Sequence, residues 1–269
     1  MTYPPRLPRR PVPWWLLAIA LLFLSLFWLI VADEGYATIF RALSTGVTTT
    51  LWVTLVAFTL AVLLGLVVAL ARTSGVRFLR EAATFYVEIM RGIPVLVFLF
   101  YIAFVGAPAL VEAVNFLTRP LAEAGWVQPM RVRDFDLAWR AILALCVCYS
   151  AFLAEIFRAG IEAVETGQIE AAKALGLHRG QIFRFIILPQ ALRTILPPLG
   201  NDFVSMIKDS ALVSALGVQD ITQLGKVYSS GSFKFFETYN VVAFLYLVMT
   251  ISLSLLVRLL EMRLSRGRR

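Results

Sequence analysis

Residues 42–71 read ALSTGVTTTLWVTLVAFTLAVLLGLVVALA, thirty positions without an Asp, Glu, Lys or Arg. A helix rises about 1.5 Å per residue, so about 20 apolar residues cross a hydrocarbon core of roughly 30 Å. Gly46 stands before the densest part, and the spacing predicts a membrane-spanning helix from about Val47 to Ala71. Three further runs, 11–32, 92–111 and 238–257, are also free of charge. Two weaker candidates lie between them. One covers 137–157, with Glu155 near its end, and the other covers 195–217 and contains Asp202, Lys208 and Asp209. The expected architecture is therefore all-α, with six membrane-spanning helices.

The composition agrees. Of 269 residues, 59% are apolar and only 16% charged, far from the quarter charged that is usual for a soluble domain. A soluble enzyme, a disordered chain and a disulfide scaffold are all excluded on these grounds. The two cysteines, Cys146 and Cys148, sit two apart in an apolar run, where i and i+2 side chains of a helix point to different faces. They read as small core residues, and no metal site is expected. The run at 11–32 is too long for the apolar part of a signal peptide, and no small-x-small cleavage site follows it. It reads as a retained helix, with Trp14, Trp15 and Trp28 as interfacial residues.

Orientation follows from Lys and Arg placement. With the N-terminus cytoplasmic, 17 of these cations fall on the inner side, among them Arg6, Arg9, Arg10, Arg266, Arg268 and Arg269. Seven fall outside, among them Arg140, and Lys208 lies within a span. Both termini are expected inside. The net charge of +8 is spread over inner loops, so it is a topology signal and no nucleic-acid partner is implied.

Between the fourth and fifth spans lies a segment at about 159–194, longer than a connector needs to be. Thr166-Gly167 reads as the break after the fourth span. Gln168 to Leu175 reads as a short helix with Gly176 as its left-handed stop. A second short helix over 179–188 is expected to end at Pro189. Ile169, Ala172 and Leu175 give the first helix one apolar side. A two-turn helix is not stable alone in water, so it must dock, either on its own bundle or membrane surface or in a groove of a soluble partner.

Within this segment Glu170-Ala171-Ala172, three intervening residues, Gly176, nine intervening residues and Ile186-Ile187-Leu188-Pro189 resemble the EAA loop of ABC importer permeases. The likeness extends to Glu88, Arg91-Gly92 and Pro94, to Ala154-Glu155-Ile156 and Arg158, and to Asn201 and Lys208-Asp209-Ser210. In these the chain is similar to the polar amino acid permeases, over roughly 45–261. It departs from that family's usual residues at Ile93, Phe98 and Ala211. The resemblance implies a type I importer-like permease in the inner membrane, forming the translocation pathway by alternating access. It implies that Glu170, Ala171, Ala172, Gly176, Leu188 and Pro189 couple to a separate ATPase that binds ATP and Mg. It also implies a second permease chain, the same or related, two ATP-binding subunits and an extracytoplasmic solute-binding protein. The chain has no G-x-x-x-x-G-K-[ST] loop, so no catalytic residue and no cofactor is assigned to it. The expected organisation is a tail over 1–13, a first helix and outer loop over 14–45, a five-helix core over 46–262 and a basic tail over 263–269. The rivals are a permease of this type for another small polar solute, and an ion-coupled secondary transporter.

The fifth span carries the chemistry. Three central charges facing lipid would cost on the order of 8–10 kcal/mol, so they must face water, protein or each other. Asn201, Asp202, Ser205, Lys208 and Asp209 fall within an arc of about 120°, opposite Phe203, Val204, Met206 and Ile207. With Ser210 they form a candidate solute pathway or a helix interface. Pro197-Pro198 ahead of them is expected to break the helix. Glu155 with Arg158, and Glu88 with Arg91, are i, i+3 pairs expected to anchor helix ends. His178 reads as solvated. The outer loops, about 108–136 and 218–237, are long enough to meet an external partner.

Overall fold

The computed structural model describes residues 14–265, all helix and turn with no strand among them. The expected tail over 1–13, the Trp15 side chain, and Arg6, Arg9, Arg10, Arg266, Arg268 and Arg269 lie outside the described residues. Among the described residues five helices are long and apolar enough to cross a bilayer, and Leu17–Ala32 adds a shorter apolar one.

Helix α1, Trp14–Ala32, runs along the last helix, with the Phe23 and Phe244 rings 5.0 Å apart. Only Asp33 separates it from α2, Glu34–Arg72, and the Asp33 carboxylate accepts the Tyr36 N–H at 3.0 Å. The 39 residues of α2 make about 58 Å of helix, nearly twice the hydrocarbon core. The expected outer loop before Val47 is therefore helix, because Tyr36, Ile39 and Leu43 continue the buried stripe of the span. Below them the stripe turns small: Gly46, Thr50, Thr54, Ala57, Ala61, Gly65 and Ala69. Small residues let helices approach closely where lipid gives no hydrophobic drive. A Cβ at Gly65 would lie 2.9 Å from the Ser150 carbonyl, and one at Gly46 only 2.6 Å from the Ile221 nitrogen.

Helix α3, Arg77–Gly92, is amphipathic and buries Ala83 and Val87. Ile93 is extended, as a residue before proline must be. The third span starts after it and runs from Val95 to Glu123, 12 residues beyond the expected end. It consists of α4, Val95–Tyr101, a wide turn over Ile102–Gly106 and α5, Ala107–Glu123. Much of the expected outer loop at 108–136 is thus helical. Arg140 is 8% exposed and no loop cation. Its guanidinium donates to the carbonyls of Ala103 at 3.2 Å, Phe135 at 2.8 Å and Val132, clamping the wide turn to the loop ahead of its own helix.

That helix, α6, Leu137–Glu162, is the buried centre of the bundle and packs most extensively on α2. Both cysteines are buried in it as free thiols. Then follow α7, Thr166–Ala174, α8, Arg179–Ile182, and α9, Leu188–Asp209. A tight 3-10 segment, Ser210–Leu216, leads to α10, Ile221–Ser232, and α11, Phe235–Ser265. The second expected outer loop therefore also contains a helix. Asp220 caps α10, accepting from the Gln223 N–H at 2.8 Å and the Tyr246 hydroxyl at 3.1 Å. Burial pushes its carboxyl up, and those hydrogen bonds pull it back.

Candidate coupling loop and solute pathway

Helix α6 ends at Glu162, and α7 restarts at Thr166. Thr166-Gly167 thus begins the short helix and does not break the preceding one. The turn lies at 163–165, where Val164 is buried and holds it down. Ala172 is buried and Ile169 half-buried, as the apolar side requires, but Leu175 is 80% exposed. Glu170, Ala171 and Ala174 are exposed with it. Gly176 has φ +81°, and the Leu177 N–H reaches back to the Ala172 carbonyl at 3.1 Å while the Gly176 N–H reaches Lys173 at 2.9 Å. This double closure needs a left-handed residue, which glycine supplies without a Cβ penalty. His178 is exposed, and it also caps α8: its Nδ1 accepts the Gln181 N–H at 3.3 Å.

The second short helix does not stop at Pro189. The Leu188 N–H bonds to the Phe183 carbonyl, five residues back, so the chain widens by one residue over Phe183–Ile187 just ahead of the proline. The widened turn lets the ring enter the first turn of α9, where its missing N–H matters least. Leu188 and Pro189 are exposed. Gln190 Nε2 donates both to the Ile186 carbonyl at 3.0 Å and to Gln168 Oε1 at 2.7 Å, joining the base of α9 to α7. Likewise α9 runs unbroken through Pro197 and Pro198. The irregularities flank it at 183–187 and 210–216, and the expected break is absent.

Glu155 binds both Arg72 and Arg158, and Arg158 also binds Glu162. The expected α6 anchor is therefore a four-residue network that reaches α2. The Glu88–Arg91 pair is not formed. Arg91 lies instead over the Phe152 ring, 5.9 Å from its centroid.

The polar arc of α9 divides between two neighbours. At 2.7 Å from Asp209 Oδ2 the Tyr149 hydroxyl of α6 donates, so Asp209 faces the centre of the bundle. Asp202, seven residues earlier, falls on almost the same angle. Lys208 lies 100° away and lines a groove with α11. Asn201 and Ser205 fall between and are exposed and half-exposed. Ser210, added to the candidate pathway beside the arc, is fully buried, and its hydroxyl donates to the Ile207 carbonyl at 2.7 Å. Of the opposite arc, Met206 and Ile207 are buried. Sequence reasoning missed Tyr149, Arg72 and Gln190, each a polar group whose partner is distant in the chain. A polar side chain inside an apolar run was the available signal for Tyr149.

Residues 61–266 match the family described as binding-protein-dependent transport system inner membrane component. The chain is 36% identical over 233 residues to the probable amino-acid permease protein YxeN of Bacillus subtilis strain 168, covering 87% of this chain and 96% of that protein. It is 34% identical over 219 residues to the glutamine transport system permease protein GlnP of Escherichia coli K12, covering 81% and 91%. Among solved structures it is similar to a chain of an amino acid ABC transporter with histidines, at TM-score 0.70 and 36% identity over 87% of this chain and 98% of that one. The MetNI methionine ABC transporter shares the fold, at TM-score 0.65 and 21% identity over 83% and 96%.

Proposed function

This chain belongs to the binding-protein-dependent transport system inner membrane components, and from that premise we propose that it is the membrane-spanning permease of an ATP-driven amino acid importer. It is a non-catalytic, multi-pass subunit of the inner membrane. An ATPase and a binding protein are the partners its family implies. Two permease chains would pair with two ATP-binding subunits, which bind ATP and Mg, and both termini of this chain would face the cytoplasm.

One observation carries the coupling assignment: α7 offers an exposed face of Glu170, Ala171, Ala174 and Leu175, closed at Gly176 and tied through Gln168 to the base of α9. Alanine permits close approach to a groove, Glu170 offers one carboxylate to a cation, and Leu175 supplies an apolar anchor. Force received there reaches α9 through Gln190. The pathway would run past the open part of the α9 arc, Asn201, Ser205 and Lys208, with Asp202 and Asp209 towards α6. The four-residue network at Glu155 would hold the inner ends of α2 and α6 together.

The test is Gly176→Asp. A side chain at φ +81° strains the stop of α7 and adds a charge beside the docking face. The variant should insert in the membrane at normal amount, with uptake abolished and the ATPase no longer stimulated. Normal uptake by this variant would refute the coupling assignment.

A further inference from the structure

Helices α9 and α11 touch at Gly200, where a Cβ would lie 2.5 Å from Val257 Cγ1. To one side of this crossing a groove of about 310 Å³ runs between them, lined by Val204 and Lys208 of α9 and by Thr250, Ser254, Leu255 and Arg258 of α11. Thr250, Ser254 and Arg258 are spaced by four, which sets them within about 80° of one another along roughly 12 Å of helix.

The groove holds two cations and no acid. Neither Lys208 nor Arg258 forms an ion pair among the described residues. Asp209 is engaged by Tyr149, Asp202 lies on the α6 side of the arc, and Glu261 lines the apolar pocket on the other side of the crossing. The Thr250 hydroxyl donates to the Tyr246 carbonyl at 2.8 Å, which leaves its lone pairs free. The Ser254 side chain is exposed, and its hydroxyl makes no hydrogen bond among the described residues. An unpaired lysine at this depth is too costly in lipid, so the groove faces water or a protein neighbour.

We propose that this groove is the track along which the carboxylate of the solute passes from Lys208 to Arg258, with Ser254 donating between them. The inference rests on the amino acid reading above and deepens it. The ammonium group of the solute finds an acceptor in Thr250 Oγ1. A second, cationic side chain finds only like charge. The solute class is therefore neutral and acidic amino acids, not cationic ones.

The experiment measures uptake of ¹⁴C-labelled L-glutamine, L-glutamate and L-arginine. It uses cells whose only copy of this chain is the variant, with the native ATPase and binding protein. Wild-type cells should import glutamine or glutamate, and arginine much more slowly. Lys208→Gln and Arg258→Gln should each lower that uptake at least about tenfold at normal membrane amount, the loss of one charged hydrogen bond. Lys208→Arg should restore most of it. Ser254→Asp places a carboxylate in the track and should lower glutamate uptake more than glutamine uptake, an effect that mere misfolding would not produce. Unchanged uptake in both Gln variants overturns the track. So does arginine import as fast as glutamine import. Unchanged uptake with loss of co-purifying phosphatidylglycerol reassigns the two cations to a lipid phosphate and overturns it too. Failure of the amino acid reading itself would look different, because wild-type cells would then import no amino acid in dependence on this chain.

Discussion

The Tyr149 hydroxyl donates to Asp209 Oδ2 at 2.7 Å, joining the middle of α6 to the last turn of α9. Tyr149 is buried, so its phenol has no water to turn to. Tyr149→Phe should leave the carboxylate without its donor and lower stability by about 1–3 kcal/mol. Asp209→Asn keeps an acceptor and should cost less. A double-mutant cycle with Asp209→Ala should show the two losses falling short of additive by at least about 0.5 kcal/mol. Thermal unfolding of the purified protein in detergent measures all three, and additive losses would count against the bond.

The same pair marks the limit of what the sequence discloses. Absence of charge located α1, α2, α4 and α11, because lipid rejects charge whatever surrounds the helix. A helical wheel placed Asp209 and Lys208 on one arc, but a wheel does not say which helix stands at each angle. Only the packing of α6 and α11 on α9 separates the acidic edge from the basic one. The proline expectations failed for a related reason. A local rule ends a helix at Pro189 or Pro197-Pro198, whereas a widened turn at 183–187 and neighbouring helices absorb the missing N–H groups. The left-handed stop was legible, since Gly176 has φ +81° where the short helix ends. The Gln168–Gln190 bond spans 22 residues and left no trace in spacing.

Glu155 is the hub of the inner-end network, and the Arg72 side chain that it binds is only 14% exposed. Glu155→Gln should cost about 1–3 kcal/mol, between an exposed pair and a buried one. It leaves Arg72 without a carboxylate, while Arg158 keeps Glu162. Glu162→Gln, on the exposed side, should cost under about 1 kcal/mol. Comparing the two thermal midpoints checks the ranking, and equal losses would mean that Arg72 gains nothing from Glu155.

Gln190 has a different role, because its bond to Gln168 lies at the surface. Net stabilisation by such a bond is only about 0.5–1.5 kcal/mol, so Gln190→Ala should unfold at nearly the wild-type midpoint. Its consequence should appear in coupling. Helix α7 is nine residues long and cannot hold itself, so what it receives passes on only through its attachments. One attachment is the covalent turn at Gly176, whose φ of +81° glycine adopts freely. Others are the turn at 163–165, held down by buried Val164, and the Gln168–Gln190 bond, which reaches the widened turn through Ile186. Gln190→Ala should therefore reduce, by a few-fold, the ATPase stimulation produced by loaded binding protein, with membrane amount unchanged. Gln168→Ala should reproduce it, and the double variant should be no worse than either single one. Full stimulation in both single variants would show that the Gln168–Gln190 bond carries none of the force.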